Sequence, residues 1–173
     1  SGLLIIENFG EKKYSKFITK ENRTKLYKIA IDSLIFLHKQ PVNDLFEIYD
    51  DNIFLEESML FFNWYLKLKK KKVDMAIISE FKKYILDLLS VRKQLPLVYV
   101  HRDFHVDNLF FLPQRRGFKK CGWIDYQDTL VGSPVYDIMS LIEDARIDVN
   151  KEMTKYLLKY FLKKSDVIDH QSF

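Results

Sequence analysis

The sequence predicts an α+β fold, mainly helical, with a small β-hairpin sheet. Two observations carry this. Residues 21–39, 53–70, 73–93 and 153–162 place apolar side chains at helical spacing. Three apolar runs, 97–100, 109–112 and 121–124, have the length of strands and are too short for helices. A hydrophobic fraction of 47%, with 14 Phe and 10 Tyr in 173 residues, is enough for one domain with a substantial core.

Residues 3–10, Leu-Leu-Ile-Ile-Glu-Asn-Phe-Gly, read as a buried strand ended by Gly10. Helix 21–39 turns Leu26, Ile29, Ala30, Leu34 and Leu37 to the core, and Pro41 ends the element. His38, near its end, reads as a surface or capping histidine. Asp50 or Asp51 caps the long helical stretch 53–70. Lys67 and the lysines at 69–72 read as a solvated helix end, because a nucleic-acid surface needs a wider patch with interleaved aromatics. Helix 73–93 sets Ile78, Phe81, Ile85, Leu88 and Leu89 on one side, and Pro96 turns the chain into strand 97–100. Gln114-Arg115-Arg116-Gly117 reads as a solvated basic turn. Gly132-Ser133-Pro134 opens a helix, with Ser133 as N-cap and Pro134 at the first helical position. Asp144-Ala145-Arg146-Ile147 closes it, and Asn150 or Asp148 caps the last helix.

The chemistry concentrates between the strands. His101-Arg102-Asp103-Phe104-His105-Val106-Asp107-Asn108 matches H-R-D-x-x-x-x-N, a catalytic loop of phosphoryl transfer. Asp125 follows the third apolar run, in Ile124-Asp125-Tyr126-Gln127-Asp128. The three side chains are expected on one small sheet. Phosphoryl transfer asks a protein mostly for positioning and charge stabilisation. Asp103 suits acceptance of the hydroxyl proton. Asn108 and Asp125 offer the hard oxygens that Mg²⁺ prefers.

This stretch resembles the aminoglycoside phosphotransferase and choline kinase-like superfamily, small-molecule relatives of protein kinases. His105, two residues after Asp103, is that superfamily's habit. No A-P-E follows, and eight residues separate Asp128 from Asp137, too few for an activation loop and peptide platform. The resemblance implies a protein-kinase-like fold. Residues 1–10 would be the hinge strand between lobes, and 11–173 the C-terminal catalytic lobe. It implies that Glu7, Asn8 and Phe9 line the adenine of ATP, that Asp103 is the catalytic base, and that Asn108 and Asp125 hold Mg²⁺. His101 would be a structural member of the loop. Asp137 would be buried and accept hydrogen bonds from the loop backbone. His105, Gln127 and Asp128 would lie near the acceptor.

A second resemblance narrows the acceptor. Glu57-Ser58-Met59-Leu60-Phe61-Phe62-Asn63-Trp64-Tyr65-Leu66 is similar to the E-x-x-L-F-x-x-W-Y-L stretch of bacterial cell-wall sugar kinases, which phosphorylate N-acetylmuramate and N-acetylglucosamine at the anomeric hydroxyl. A carboxylate beside aromatic rings suits a sugar, so Glu57 and Trp64 are candidate acceptor residues. Leu60, Phe61, Trp64 and Tyr65 read alternatively as a packed helix face. Asp144 and Arg146 read either as a surface ion pair or as acceptor contacts.

Composition bounds the rest. A net charge of +4 is mild, and the single cysteine, Cys121, excludes an internal disulfide and fits the cytoplasm. No apolar run has the length of a membrane span. Gly2, Gly10, Gly117, Gly122 and Gly132 form no phosphate-cradling loop, so the phosphate grip is expected from an upstream lobe outside this chain. This piece alone is then expected to be inactive, and the apolar residues of 3–9 to invite self-association. The expected partners are ATP and a small hydroxyl acceptor, an amino sugar first, with neither nucleic acid nor membrane. The rivals are an aminoglycoside or choline-like amine, for which Glu56, Glu57, Glu143 and Asp144 would supply acidity, and a binding module without catalysis.

Overall fold

The computed structural model describes residues 3, 5–90 and 95–168. The elements are α1 (Tyr14–Phe17), α2 (Arg23–His38), α3 (Asp51–Leu60), a π-helical continuation (Phe61–Leu66), α4 (Met75–Ser90), β1 (Val98–Val100), β2 (Leu109–Phe111), a 3₁₀ turn (Gly117–Lys120), β3 (Cys121–Trp123), β4 (Leu130–Gly132), α5 (Tyr136–Ile142) and α6 (Lys151–Lys164). The α+β reading holds.

The helical core is built as the spacing dictates. Leu26, Ala30, Ile31 and Leu34 of α2 are buried against Ile138, Leu141 and Ile142 of α5 and Leu157 and Phe161 of α6, in one apolar cluster. Phe104 and Leu109 join it from the loop and β2, so the loop is anchored by its own apolar side chains. The Phe104 ring is fully buried, with its centroid 5.7 Å from His101 and 5.8 Å from Trp123. Phe104→Ala in the complete protein is therefore expected to lower stability by about 3–5 kcal/mol, read as an earlier urea midpoint.

The strands differ from the single sheet expected. β2 and β3 form the antiparallel hairpin, with Leu109 opposite Trp123 and Phe111 opposite Cys121. β1 pairs instead with β4, Val98 opposite Gly132. The sequence missed β4, whose three residues are too short for an alternation to show. Residues 47–49 lie along its other side: Val131 N donates to the Glu47 carbonyl at 2.8 Å, and Tyr49 N to the Val131 carbonyl at 2.7 Å.

Residues 3 and 5–10 carry no strand, and Leu3, Ile5 and Ile6 are exposed. A strand needs a ladder partner, and among the described residues none pairs with this segment by a ladder; Leu4 lies outside them. The chain engages the body further along, where Lys13 bridges Phe110 and Phe111 N donates to the Lys12 carbonyl at 2.8 Å.

His38 is buried rather than on the surface, with its ring edge-on to Phe161 at 6.0 Å, because α6 crosses the end of α2. Asp50 caps α3 through Ile53 N at 2.9 Å, and Asn150 caps α6 through Met153 N at 2.9 Å. Helix α5 starts at Tyr136, later than Ser133-Pro134 suggested. Ser133 is spent on a turn, its carbonyl accepting from Tyr136 N at 3.2 Å, because Gly132 is still paired in β4.

α3, its π continuation and α4 form a hairpin joined by Phe62 against Phe81, ring centroids 4.9 Å apart. α3 and the π segment bury no side chain completely. Leu88 of α4 points outward while Leu89 is buried, against the shared face expected of them. Residues 91–93 of the expected helix lie outside the described part.

Candidate active site

The loop after β1 is shaped by hydrogen bonds. His101 N and Arg102 N donate to the Asp137 carboxylate at 2.7 and 3.0 Å. Arg102 has φ 73°, a left-handed conformation that costs a non-glycine residue about 1 kcal/mol or more. The carboxylate from α5 holds the backbone there. His105 N and Asn108 Nδ2 both donate to the Asp103 carbonyl at 3.0 Å, and Asn108 N donates to the His105 carbonyl at 2.9 Å. These bonds fix the Asp103 backbone and leave its half-buried side chain at the rim.

Asp125 reaches the same region through the hairpin. Ile124 N donates to the Asn108 carbonyl at 3.1 Å, one step beyond the Leu109–Trp123 pair. Asp125 itself has φ 65° and an exposed side chain. Gln127 Nε2 donates to Asp125 Oδ1 at 2.9 Å and to Asp128 Oδ2 at 3.2 Å, so these three side chains are joined. Asp103, Asn108 and Asp125 thus sit at the ends of two ladders rather than on one sheet.

The donor set fits a magnesium ion. The Asn108 amide nitrogen is occupied by Asp103, which leaves Oδ1 free as an oxygen donor, and Asp125 follows the residue bonded to the Asn108 carbonyl. Among the described residues no three His, Cys, Asp or Glu side chains form a metal cage. Mg²⁺ needs none where phosphate and water oxygens complete its shell.

Burial governs the ionisable groups behind the loop. It lowers the His101 imidazole, against the nearby Asp103 charge, and so favours a neutral ring. Burial pushes the Asp137 carboxyl up to about 7, opposed by its two N–H donors. Burial also pushes the Cys121 thiol up to about 11, which makes it a poor nucleophile.

Glu57 is already engaged. Its carboxylate pairs with the Arg102 guanidinium and accepts from the Tyr49 hydroxyl, which in turn lies 3.3 Å from the Tyr136 hydroxyl. Trp64 stands 73% exposed on the π segment, and no described contact links it to the loop. The rings around it do not form the packed face considered above: Phe61 stacks on Tyr65 at 5.4 Å, yet both are about half exposed, at 49% and 51%.

Glu7, Asn8 and Phe9 lie beside the β2–β3 hairpin. Asn8 Oδ1 accepts from Gly10 N at 2.8 Å, and Glu7 pairs with Arg115, whose guanidinium lies 5.8 Å from the Phe9 ring centroid. The turn at 114–117 is therefore not merely solvated. Phe9 lies against β3 where a Cβ on Gly122 would meet its ring at 2.8 Å, so a side chain there would displace Phe9 or Leu112.

Two ties escaped the sequence reading. Asp144 is buried, accepts from Val106 N at 3.0 Å and pairs with Arg146 at 3.0 Å, so it holds the loop rather than facing solvent. The sequence placed Arg102 in the H-R-D motif without a role of its own; the structure pairs it with Glu57. The place of Arg102 next to an acidic candidate base was the available signal.

The phosphotransferase enzyme family model matches residues 2–168. The chain is 27% identical over 183 residues to an N-acetylmuramate/N-acetylglucosamine kinase of Caulobacter vibrioides, covering 100% of this chain and 50% of that protein. It is 30% identical over 168 residues to the enzyme of that name from Pseudomonas aeruginosa, covering 95% and 48%. Among solved structures, it resembles ADP-bound aminoglycoside phosphotransferase APH(2'')-Ib, with TM-score 0.64 and 24% identity over 92% of this chain and 55% of that one. It also resembles a choline/ethanolamine kinase family protein from Mesorhizobium loti, with TM-score 0.58 and 14% identity over 88% and 47%. These structural likenesses establish a kinase-like fold. The chain spans about half the length of the relatives it matches.

Proposed function

This chain belongs to the phosphotransferase enzyme family, and we propose that the complete protein transfers the γ-phosphoryl group of ATP to a hydroxyl of an amino sugar, in the cytoplasm, as part of cell-wall recycling. One observation carries the phosphoryl-transfer reading. Asp103 and Asn108 are locked to each other, and Asn108 is locked to the strand end that presents Asp125.

In this reading Asp103 accepts the proton of the attacking hydroxyl. Asn108 and Asp125 would hold Mg²⁺, which when bound neutralises phosphate charge. Asp137 keeps the loop backbone in place, and the neutral His101 ring packs behind it on Phe104 and Trp123. Glu7, Asn8 and Phe9 form the adenine edge. Residues 1–10 are the hinge of the complete protein, and 11–173 its C-terminal lobe. His105, Gln127 and Asp128 face the acceptor, with Trp64 offering an exposed ring for stacking on a sugar.

Charge supports an acetylated sugar, which carries no ammonium group, over an amine. An ammonium group needs unpaired acidity. Glu57 is neutralised by Arg102, and Asp144 is buried against Arg146. Glu56 and Glu143 are left exposed to solvent. The names of the sugar-kinase relatives point the same way.

The test is ADP release by the complete protein with MgATP and separate acceptors: N-acetylmuramate, N-acetylglucosamine, kanamycin and choline. Release dependent on the acetylated sugars is expected. Release with kanamycin or choline alone would move the acceptor to the amine class. No release with any of them, while MgATP still binds, would favour a non-catalytic module.

A further inference from the structure

Arg102 meets four parts of the molecule at once. Its guanidinium pairs with Glu57 on α3 and lies 5.4 Å from the centroid of the Tyr49 ring. Its Nη1 donates to the Asp128 carbonyl at 3.4 Å, in the loop that carries Asp125. Its backbone N donates to Asp137 of α5 at 3.0 Å. The next residue is Asp103.

The mechanical setting gives these contacts weight. α3 packs on α4 and its own continuation, and Phe54 stacks on Tyr49 at 4.8 Å and edges Tyr136 of α5 at 5.7 Å, yet none of its side chains is completely buried. These contacts are apolar and set no direction toward the catalytic loop, so a polar tie adds registry. Glu57 reaches from it to the catalytic loop, and the pair is only 27% and 31% exposed, where screening by solvent is reduced. Arg supplies a planar fork that can serve a carboxylate and a carbonyl together, which a lysine ammonium cannot match. The backbone at Arg102 is left-handed, and its guanidinium reaches Glu57 on α3.

We propose that Arg102 is a positioning residue that couples helix α3, through Glu57, to the loops carrying Asp103 and Asp125, so that the acceptor side and the catalytic side keep one relative placement. This rests on the phosphotransferase reading for the roles of the two loops. Glu57 is then the partner of Arg102 in a tie and not an open ligand for a cationic acceptor.

The test uses the complete protein and seven variants: Arg102→Lys, Arg102→Ala, Glu57→Gln, the double R102A/E57Q, the singles R102E and E57R, and the charge swap R102E/E57R. Arg102→Ala and Glu57→Gln should each lower kcat about tenfold with the KM for ATP within about twofold, and R102A/E57Q should be no worse than Arg102→Ala alone. Arg102→Lys should fall between, and the swap should recover part of the loss. Amide exchange should rise together at 54–60, 101–108 and 124–129 in Arg102→Ala. Additive losses, or a swap no better than its parents, would overturn the proposal even if all variants fold. If the wild type turns over no acceptor, the functional reading fails. Exchange then decides the coupling: a joint rise keeps it, and a rise confined to 101–108 overturns it.

Discussion

Asp103→Asn in the complete protein is expected to lower kcat about 10²–10⁴-fold, the range of a lost general base, with little change in MgATP binding. The substitution is nearly isosteric. The loop is held through the Asp103 carbonyl, which accepts from His105 N and Asn108 Nδ2, and a side-chain change leaves those bonds intact. Asp103→Asn therefore separates chemistry from architecture. Single-turnover kinetics reads the loss directly, and a variant that keeps more than a tenth of wild-type kcat would remove Asp103 from the role of base.

The second large effect is on stability. Asp137→Asn leaves one of the two buried backbone donors, His101 N or Arg102 N, facing an amide NH₂, and an orphaned buried donor costs about 1–3 kcal/mol. The penalty should depend on pH. With its carboxyl raised to about 7 by burial, Asp137 binds its proton in the folded state at pH values where the unfolded chain, near 3.8, has lost it. Stability from this group is complete below about pH 4 and falls as pH rises to about 7. The asparagine variant lacks this slope, so its deficit relative to wild type is larger at pH 5 than at pH 7.5. Urea unfolding of both proteins at the two pH values measures it. A deficit independent of pH would mean that the carboxylate stays ionised throughout, held by its N–H donors.

Much of this was legible in the sequence because the signals were local. The α2 stripe, the Asn150 cap and the apolar runs around residues 101–108 depend on neighbours a few positions away, and each element formed. The misses came from contacts distant in sequence. β4 exists because Val98–Val100 needs a partner, and its own three residues announce nothing. His38 is buried because α6 arrives more than a hundred residues later. Residues 3–10 had the composition of a strand without a described neighbour to pair with. In the candidate site, H-R-D-x-x-x-x-N drew attention to Asp103 and Asn108. The engagement of Glu57 by Arg102 across 45 positions appeared only with the coordinates.

The central claim is that this family member moves a phosphoryl group onto a sugar hydroxyl. The most direct measurement incubates the complete protein with [γ-³²P]ATP, Mg²⁺ and N-acetylglucosamine or N-acetylmuramate, and separates the products by thin-layer chromatography. The label is expected in a sugar phosphate, absent with Asp103→Asn and absent with EDTA. Label that remains in ATP or appears only as inorganic phosphate, with either sugar at millimolar concentration, would contradict the account.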